Sequence, residues 1–214
     1  MRDFLRQYVA EEKRLLDEIS AEQFERFVEV MLAAYERESQ IFVFGNGGSA
    51  VTASHFACDI NKGVSTGLQK RFKVICLNDS LATMLAYAND VSYEDVFVEQ
   101  LKNFLKQGDV VIGISGSGKS RNVIKAVEYA NENGAQTMAL TGFDGGELAK
   151  AARTVIIVPT DDMQKIEDMH LVVSHAAMQV LCRRLRAAPA AILEVSQKDG
   201  RQRGIRAASK IRAT

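Results

Sequence analysis

This 214-residue chain has only three histidines, His55, His170 and His175, and carboxylates stand near all of them. His55 and Asp59 are four residues apart, so on a helix they share one face, one turn apart. Glu167, His170 and His175 lie in one stretch near the end of the chain. There positions 167 and 175 lean to one side of a helix, ~80° apart at 3.6 residues per turn. Two histidines and two carboxylates on two helices suit a divalent metal such as zinc. Histidine, with its near-neutral pKa, also suits acid/base work. The plain alternative is a packed histidine and an ordinary i, i+3 pair of Glu167 with His170, and no short motif such as H-E-x-x-H decides between them.

A second chemistry is written in two glycine-serine turns seventy residues apart. Gly45-Asn46-Gly47-Gly48-Ser49 follows the apolar run Ile41–Phe44. Ser115-Gly116-Ser117-Gly118-Lys119-Ser120 follows Val110–Ile114. A strand feeding a small-residue loop and then a helix start presents free N–H groups and the positive end of the helix dipole, an anion site. Serine hydroxyls add donors. Two such turns on one sheet imply a phosphorylated small molecule held across its top.

Two other motifs overlap these turns. Gly113 to Ser120 fits the G-x-x-x-x-G-K-S pattern of a nucleotide-binding P-loop, but on the third strand and with no task left for the first turn. Gly45 to Ala50 fits a dinucleotide fingerprint, but the second strand ends too late, at Leu77, for the acid expected ~20 residues on. A sugar-phosphate site uses both turns. Ser115, Ser117 and Ser120 would meet one phosphate, and Lys119 would matter less than a P-loop lysine.

The elements that must position these groups follow from the periodicity. Residues 3–18 and 21–38 read as amphipathic helices, with Ser20 as N-cap and Gln23 at the capping-box position. Five short apolar runs come next: Ile41–Phe44, Phe72–Leu77, Val110–Ile114, Thr137–Leu140 and Val155–Val158. Helical stretches near 49–61, 80–105, 119–132 and 144–152 separate them, and a long helix over roughly 163–185 follows. Nearly continuous apolar strands alternating with helices predict an α/β fold with a five-stranded parallel sheet covered on both faces.

Composition narrows the class. Hydrophobic residues at 47% and charged residues at 25% fit a soluble domain with a substantial core. A formal net charge of zero gives no reason to expect nucleic acid or a membrane surface as partner. The N-terminus carries acids and no apolar core of a signal peptide, and no run approaches a membrane span. Cys58, Cys76 and Cys182 lie far apart, as reduced cytoplasmic thiols do. The sequence divides into a domain over 1–186 and a basic extension over 187–214. From Arg186 onward seven basic residues stand against Glu194 and Asp199. That tail reads as a solvated extension or as a weak contact with an acidic partner.

The serine loop resembles the S-x-S-G-x-[ST] signature of sugar isomerase (SIS) domains. With Gly45–Ser49, Ala88-Asn89-Asp90, Ser120-x-Asn122-Val-Ile-Lys-Ala126 and Leu140-Thr-Gly-x-Asp-Gly-Gly146, residues 1 to about 185 look like the phosphoheptose isomerases. The resemblance implies a flavodoxin-like three-layer sandwich, a homotetramer, zinc, and a cytoplasmic role in heptose precursor synthesis for bacterial lipopolysaccharide or capsule. The implied reaction converts sedoheptulose 7-phosphate to D-glycero-D-manno-heptose 7-phosphate through an enediol. It further implies metal ligands His55, Asp59, Glu167 and His175, with Asp59 and His175 as the catalytic pair and His170 as support. Substrate would meet Asn46, Gly47, Gly48, Ser49, Asp59, Asn78, Asp79, Ser115, Gly116, Ser117, Ser120 and Glu167. Two positions depart from the family: Asp59 stands where it has glutamate, and Glu167 where it has glutamine. These departures motivate a second reading, isomerisation of another ketose phosphate. A third reading is a non-catalytic SIS protein that binds the replication initiator, against which His175 argues.

Overall fold

The computed structural model describes residues 1–186; the 187–214 extension lies outside the described residues. Two helices lead, α1 (Arg2–Glu18) and α2 (Ala21–Arg37). Ser20 caps α2 by accepting from the Gln23 N–H at 3.2 Å. The sheet then alternates with helices: β1 (Gln40–Gly45), α3 (Gly48–Cys58), β2 (Lys73–Cys76), α4 (Leu81–Asp90), α5 (Val98–Phe104), β3 (Val110–Ser115), α6 (Arg121–Glu132), β4 (Gln136–Thr141), α7 (Gly146–Ala151) and β5 (Thr154–Ile157). Residues 163–186 form the last described helix, α8. All five strands are parallel, in the order β2-β1-β3-β4-β5.

Alternate residues along the strands feed two cores, as a pleated sheet covered on both faces requires. Ile41, Val43, Ile112 and Leu140 pack with Phe27 and Met31 of α2, Phe56 of α3, and Val173 and Leu181 of α8. Phe42, Phe44, Val111 and Ala139 pack with Leu101 of α5, Val127 of α6 and Leu148 of α7. The result is the three-layer sandwich.

Two helical stretches differ from expectation. The stretch over 80–105 is broken between α4 and α5. Val91 leaves helical geometry, and a single 3-10 turn, Tyr93–Asp95, intervenes. Ser92 Oγ donates to Asp95 Oδ2 at 2.7 Å, and Lys125 pairs with Asp95 at 2.5 Å, which pins this turn against α6. The stretch over 49–61 stays α-helical only to Cys58 and widens into a π-helical turn, Asp59–Val64. Asn61 fixes that turn to β2, donating to the Val74 carbonyl at 2.7 Å and accepting from the Val74 N–H at 3.1 Å.

The first helix is held lightly. Leu15 is its one buried residue, and it packs with Val158, Ile166 and Met169. Polar contacts supply the rest: Tyr8 Oη donates to Asp168 at 2.6 Å, and the buried Lys165 pairs with Glu11 at 2.6 Å and with Asp162. Phe4, Leu5, Val9 and Leu16 stay exposed. Replacing Leu15 by alanine should therefore free α1 alone, at a local cost of about 2–5 kcal/mol. Hydrogen exchange is expected to accelerate across Arg2–Glu18 while β1, β3 and β4 keep their protection.

Candidate active site

In this strand order the chain turns one way after β1 and the other way after β3. The two strands are neighbours, with Gly45 opposite Ile114. Ligands of open parallel sheets bind in the crevice that opens there, beyond the strands' C-terminal ends. Both glycine-serine turns border it.

The first turn is drawn tight. Gly47 caps α3 with φ of 54°, a conformation that favours glycine. Asn78, expected to meet substrate, has both ends of its amide on Gly45. It accepts from the Gly45 N–H at 3.1 Å and donates to the Gly45 carbonyl at 2.9 Å. It shapes the turn from β2. Asp79 beside it is exposed.

The second turn is braced by its neighbour. Gly118, at φ of 64°, lies against the backbone of Gly145 and Gly146, and a Cβ there would collide with the Gly145 carbonyl. The Leu148 N–H donates to the Gly118 carbonyl at 3.0 Å, and the Gly142 N–H to the Gly116 carbonyl at 2.8 Å. Ser115 Oγ donates to Ser120 Oγ at 3.1 Å, and Ser117 Oγ accepts from the Lys119 N–H at 3.3 Å. Ser120 is the N-cap residue of α6, yet its side chain caps no N–H of that helix. Serine hydroxyls thus gather at the start of a three-turn helix.

Side chains also join the two turns. Asn46 and Asn122 exchange both amide hydrogen bonds at 2.9 Å, and Tyr93 Oη donates to Asn46 Oδ1 at 2.9 Å. Asn122 stood inside a sequence motif without a role, and nothing in the pattern singled out Tyr93. Only the break after α4 aims Tyr93 at the first turn.

Three of the four expected metal ligands converge. His55 Nε2 lies 3.3 Å from Asp59 Oδ2, His175 Nε2 lies 3.5 Å from the same oxygen, and the two Nε2 atoms are 3.1 Å apart. Donor atoms on a tetrahedral zinc with bonds near 2.0–2.1 Å stand about 3.3 Å from one another. The triangle therefore has the size and donor chemistry of three zinc ligands. The side chains of His55 and His175 are 45% and 44% exposed, which leaves the triangle open on one side for a fourth group.

Glu167 is not in this cluster. Both its carboxylate oxygens lie 2.5 Å from where a Cβ on Gly48 would be, at the first turn of α3. Eight residues of α8 separate Glu167 from His175, a rise of about 12 Å. Gly48 and His55 are nearly as far apart on α3, so the two helices run side by side in the same direction.

His170 has another place. It is 1% exposed, and its Nε2 lies 3.1 Å from the Thr141 carbonyl. A carbonyl only accepts, so Nε2 carries the proton. Among the described residues its Nδ1 and the Thr141 hydroxyl are buried without partners. Burial pushes the pKa of His170 down to about 4. The sign follows from linkage. Between pH 6.5 and 4 the unfolded chain binds a proton that the folded chain refuses. The full contribution is present above pH 6.5 and drains as pH falls toward 4, by roughly 3 kcal/mol in all. Urea titrations over that range should show a steeper pH slope for wild type than for His170→Gln; equal slopes would contradict the assignment.

Sequence and structure comparisons show the family and the fold. A family model described as the SIS domain matches residues 7–142. Phosphoheptose isomerase of Helicobacter pylori (strain ATCC 700392 / 26695) is 37% identical over 181 residues, 85% of this chain and 91% of the relative. The chain belongs to the phosphoheptose isomerase family of SIS-domain proteins. Within that family, the Thermodesulfovibrio yellowstonii phosphoheptose isomerase is 36% identical over 171 residues, 79% of this chain and 84% of that protein. The solved structure of phosphoheptose isomerase from Neisseria gonorrhoeae superposes with a TM-score of 0.78 at 31% identity, covering 84% of this chain and 97% of that one. The serine loop is accordingly that of a SIS domain rather than a P-loop. Among the described residues no helix is long and apolar enough to cross a membrane.

Proposed function

We propose that this protein is an aldose-ketose isomerase that converts sedoheptulose 7-phosphate to D-glycero-D-manno-heptose 7-phosphate. The observation that carries the reading is the His55–Asp59–His175 triangle, in which α8 meets the helical stretch that follows β1. The serines and the free N–H groups at the start of α6 take the phosphate. The Asn46–Ser49 turn takes the sugar.

The reaction moves one carbon-bound proton. A base removes a proton from C1 of the ketose and an enediol forms between C1 and C2. A proton is delivered to C2, while the O1 proton passes to O2 and leaves the C1 aldehyde. Asp59 Oδ2 faces both imidazoles, so Oδ1 is the atom we assign to the C1 proton. His175, 3.5 Å from that carboxylate, completes the acid/base pair. His55, Asp59 and His175 are also the residues that would hold a divalent metal such as zinc, which supplies positive charge beside the developing enediolate oxygen. Glu167, at the first turn of α3, faces the sugar end of the site.

Reaction in D2O tests this directly. Sedoheptulose 7-phosphate should give an aldose carrying deuterium at C2, read by NMR. His175→Ala should lose at least ~10²-fold in kcat and lose bound metal, while its circular dichroism is unchanged. Absence of turnover by the wild-type protein would overturn the reading.

We also read the chain as a homotetramer. The exposed Phe4, Leu5, Val9 and Leu16 of α1, with Val172 of α8, are apolar surface that further copies would cover. Sedimentation equilibrium at micromolar concentration should give four chain masses; a clean monomer would count against the assembly.

A further inference from the structure

We infer that Asn122 is a positioning residue that sets the separation between the turn holding the sugar and the loop holding the phosphate. This rests on the reading that one phosphosugar spans both. Asn122 is 3% exposed and does not itself reach the crevice. It stands two residues past Ser120, in the first turn of α6, so it moves with the serine loop. Its Oδ1 accepts from Asn46 Nδ2 at 2.9 Å and from the Val123 N–H at 3.0 Å, and its Nδ2 donates to Asn46 Oδ1 at 2.9 Å.

That exchange is directional. Each amide gives one N–H and takes one, so neither can rotate without placing oxygen against oxygen. It crosses from the start of α6 to the tip of the β1 turn, 76 residues away in sequence. Below it the turns are related only by the sheet register, Gly45 opposite Ile114, and the turn tips extend beyond that pair. Tyr93 adds a third hydrogen bond, onto Asn46 Oδ1. Asn46 is thereby held between two partners on different elements. A ligand gripping both turns gains from a fixed spacing, because misplacement of one grip by an ångström weakens the whole. A ligand gripping only the serine loop gains nothing from it.

The test compares such a pair of ligands. Calorimetry, with competition for the weaker ligand, gives the affinities of sedoheptulose 7-phosphate and of inorganic phosphate for wild type, Asn122→Ala and Tyr93→Phe. Asn122→Ala should weaken the sugar phosphate by about tenfold or more and leave inorganic phosphate within about twofold. Tyr93→Phe removes one hydroxyl from a half-exposed residue and should weaken the sugar phosphate alone, by about threefold. Parallel weakening of both ligands would mean that Asn122 merely supports the serine loop, and an unchanged sugar affinity would mean that it positions nothing. Either result overturns the inference, and if Asn122→Ala fails to fold, an unchanged sugar affinity in Tyr93→Phe does so alone. Wild-type protein that binds the sugar phosphate but does not isomerise it would remove the proposed function and leave the coupling standing.

Discussion

The site depends on one pairing, that of β1 with β3. Because these strands are neighbours and parallel, their two turns leave the sheet side by side. Because the crossover from β1 leads to β2 on one flank and that from β3 to β4 on the other, nothing in the sheet roofs the gap between them. The two turns are placed by that gap, with Asn46 at the end of β1 and the serines at the end of β3 and the start of α6. His55 and Asp59 lie farther along the helical stretch that leaves β1, where α8 brings His175 to meet them. A parallel sheet in another order could carry the same motifs and not bring them together.

Much of this was legible because the strands are written in runs of β-branched and aromatic residues, buried on both faces, which the eye separates from helical stretches without ambiguity. The glycine-serine turns were legible for a related reason: small residues between such a run and a helix leave little else for the backbone to do. The break between α4 and α5 was not legible. It depends on Asp95 meeting Lys125 of α6, a contact between residues thirty apart that local pattern does not encode. The widening at Asp59–Val64 depends likewise on Asn61 reaching the edge of β2.

The histidines show where spacing stops being informative. His170 and His175 differ by about 140° around one helix, so at most one of them could join His55 and Asp59, and the sequence could say that much. Which one does so depends on the rotation of α8 against the sheet, which Val173, Ala177 and Leu181 settle by entering the core. His170 follows them inward to the end of β4. Glu167 falls between the two directions, and its carboxylate stops at Gly48, where the missing side chain leaves it room. Helix spacing and the family resemblance both pointed Glu167 toward the metal; the rise along α8 sets its carboxylate apart from the triangle within this chain.

The seat of the serine loop has a consequence for how this chain can vary. Gly118 on one loop meets Gly145 and Gly146 on another, backbone to backbone, with no side chain between them to absorb a change. A methyl group at Gly118 or Gly146 would push one loop off the other, and the phosphate grip would move with it. These positions lie 28 residues apart along the chain, yet inheritance must treat them as one character. Drift that tolerates exchange at the surrounding surface has no single step available here, so the contact should persist in descendants whose sugar specificity has changed.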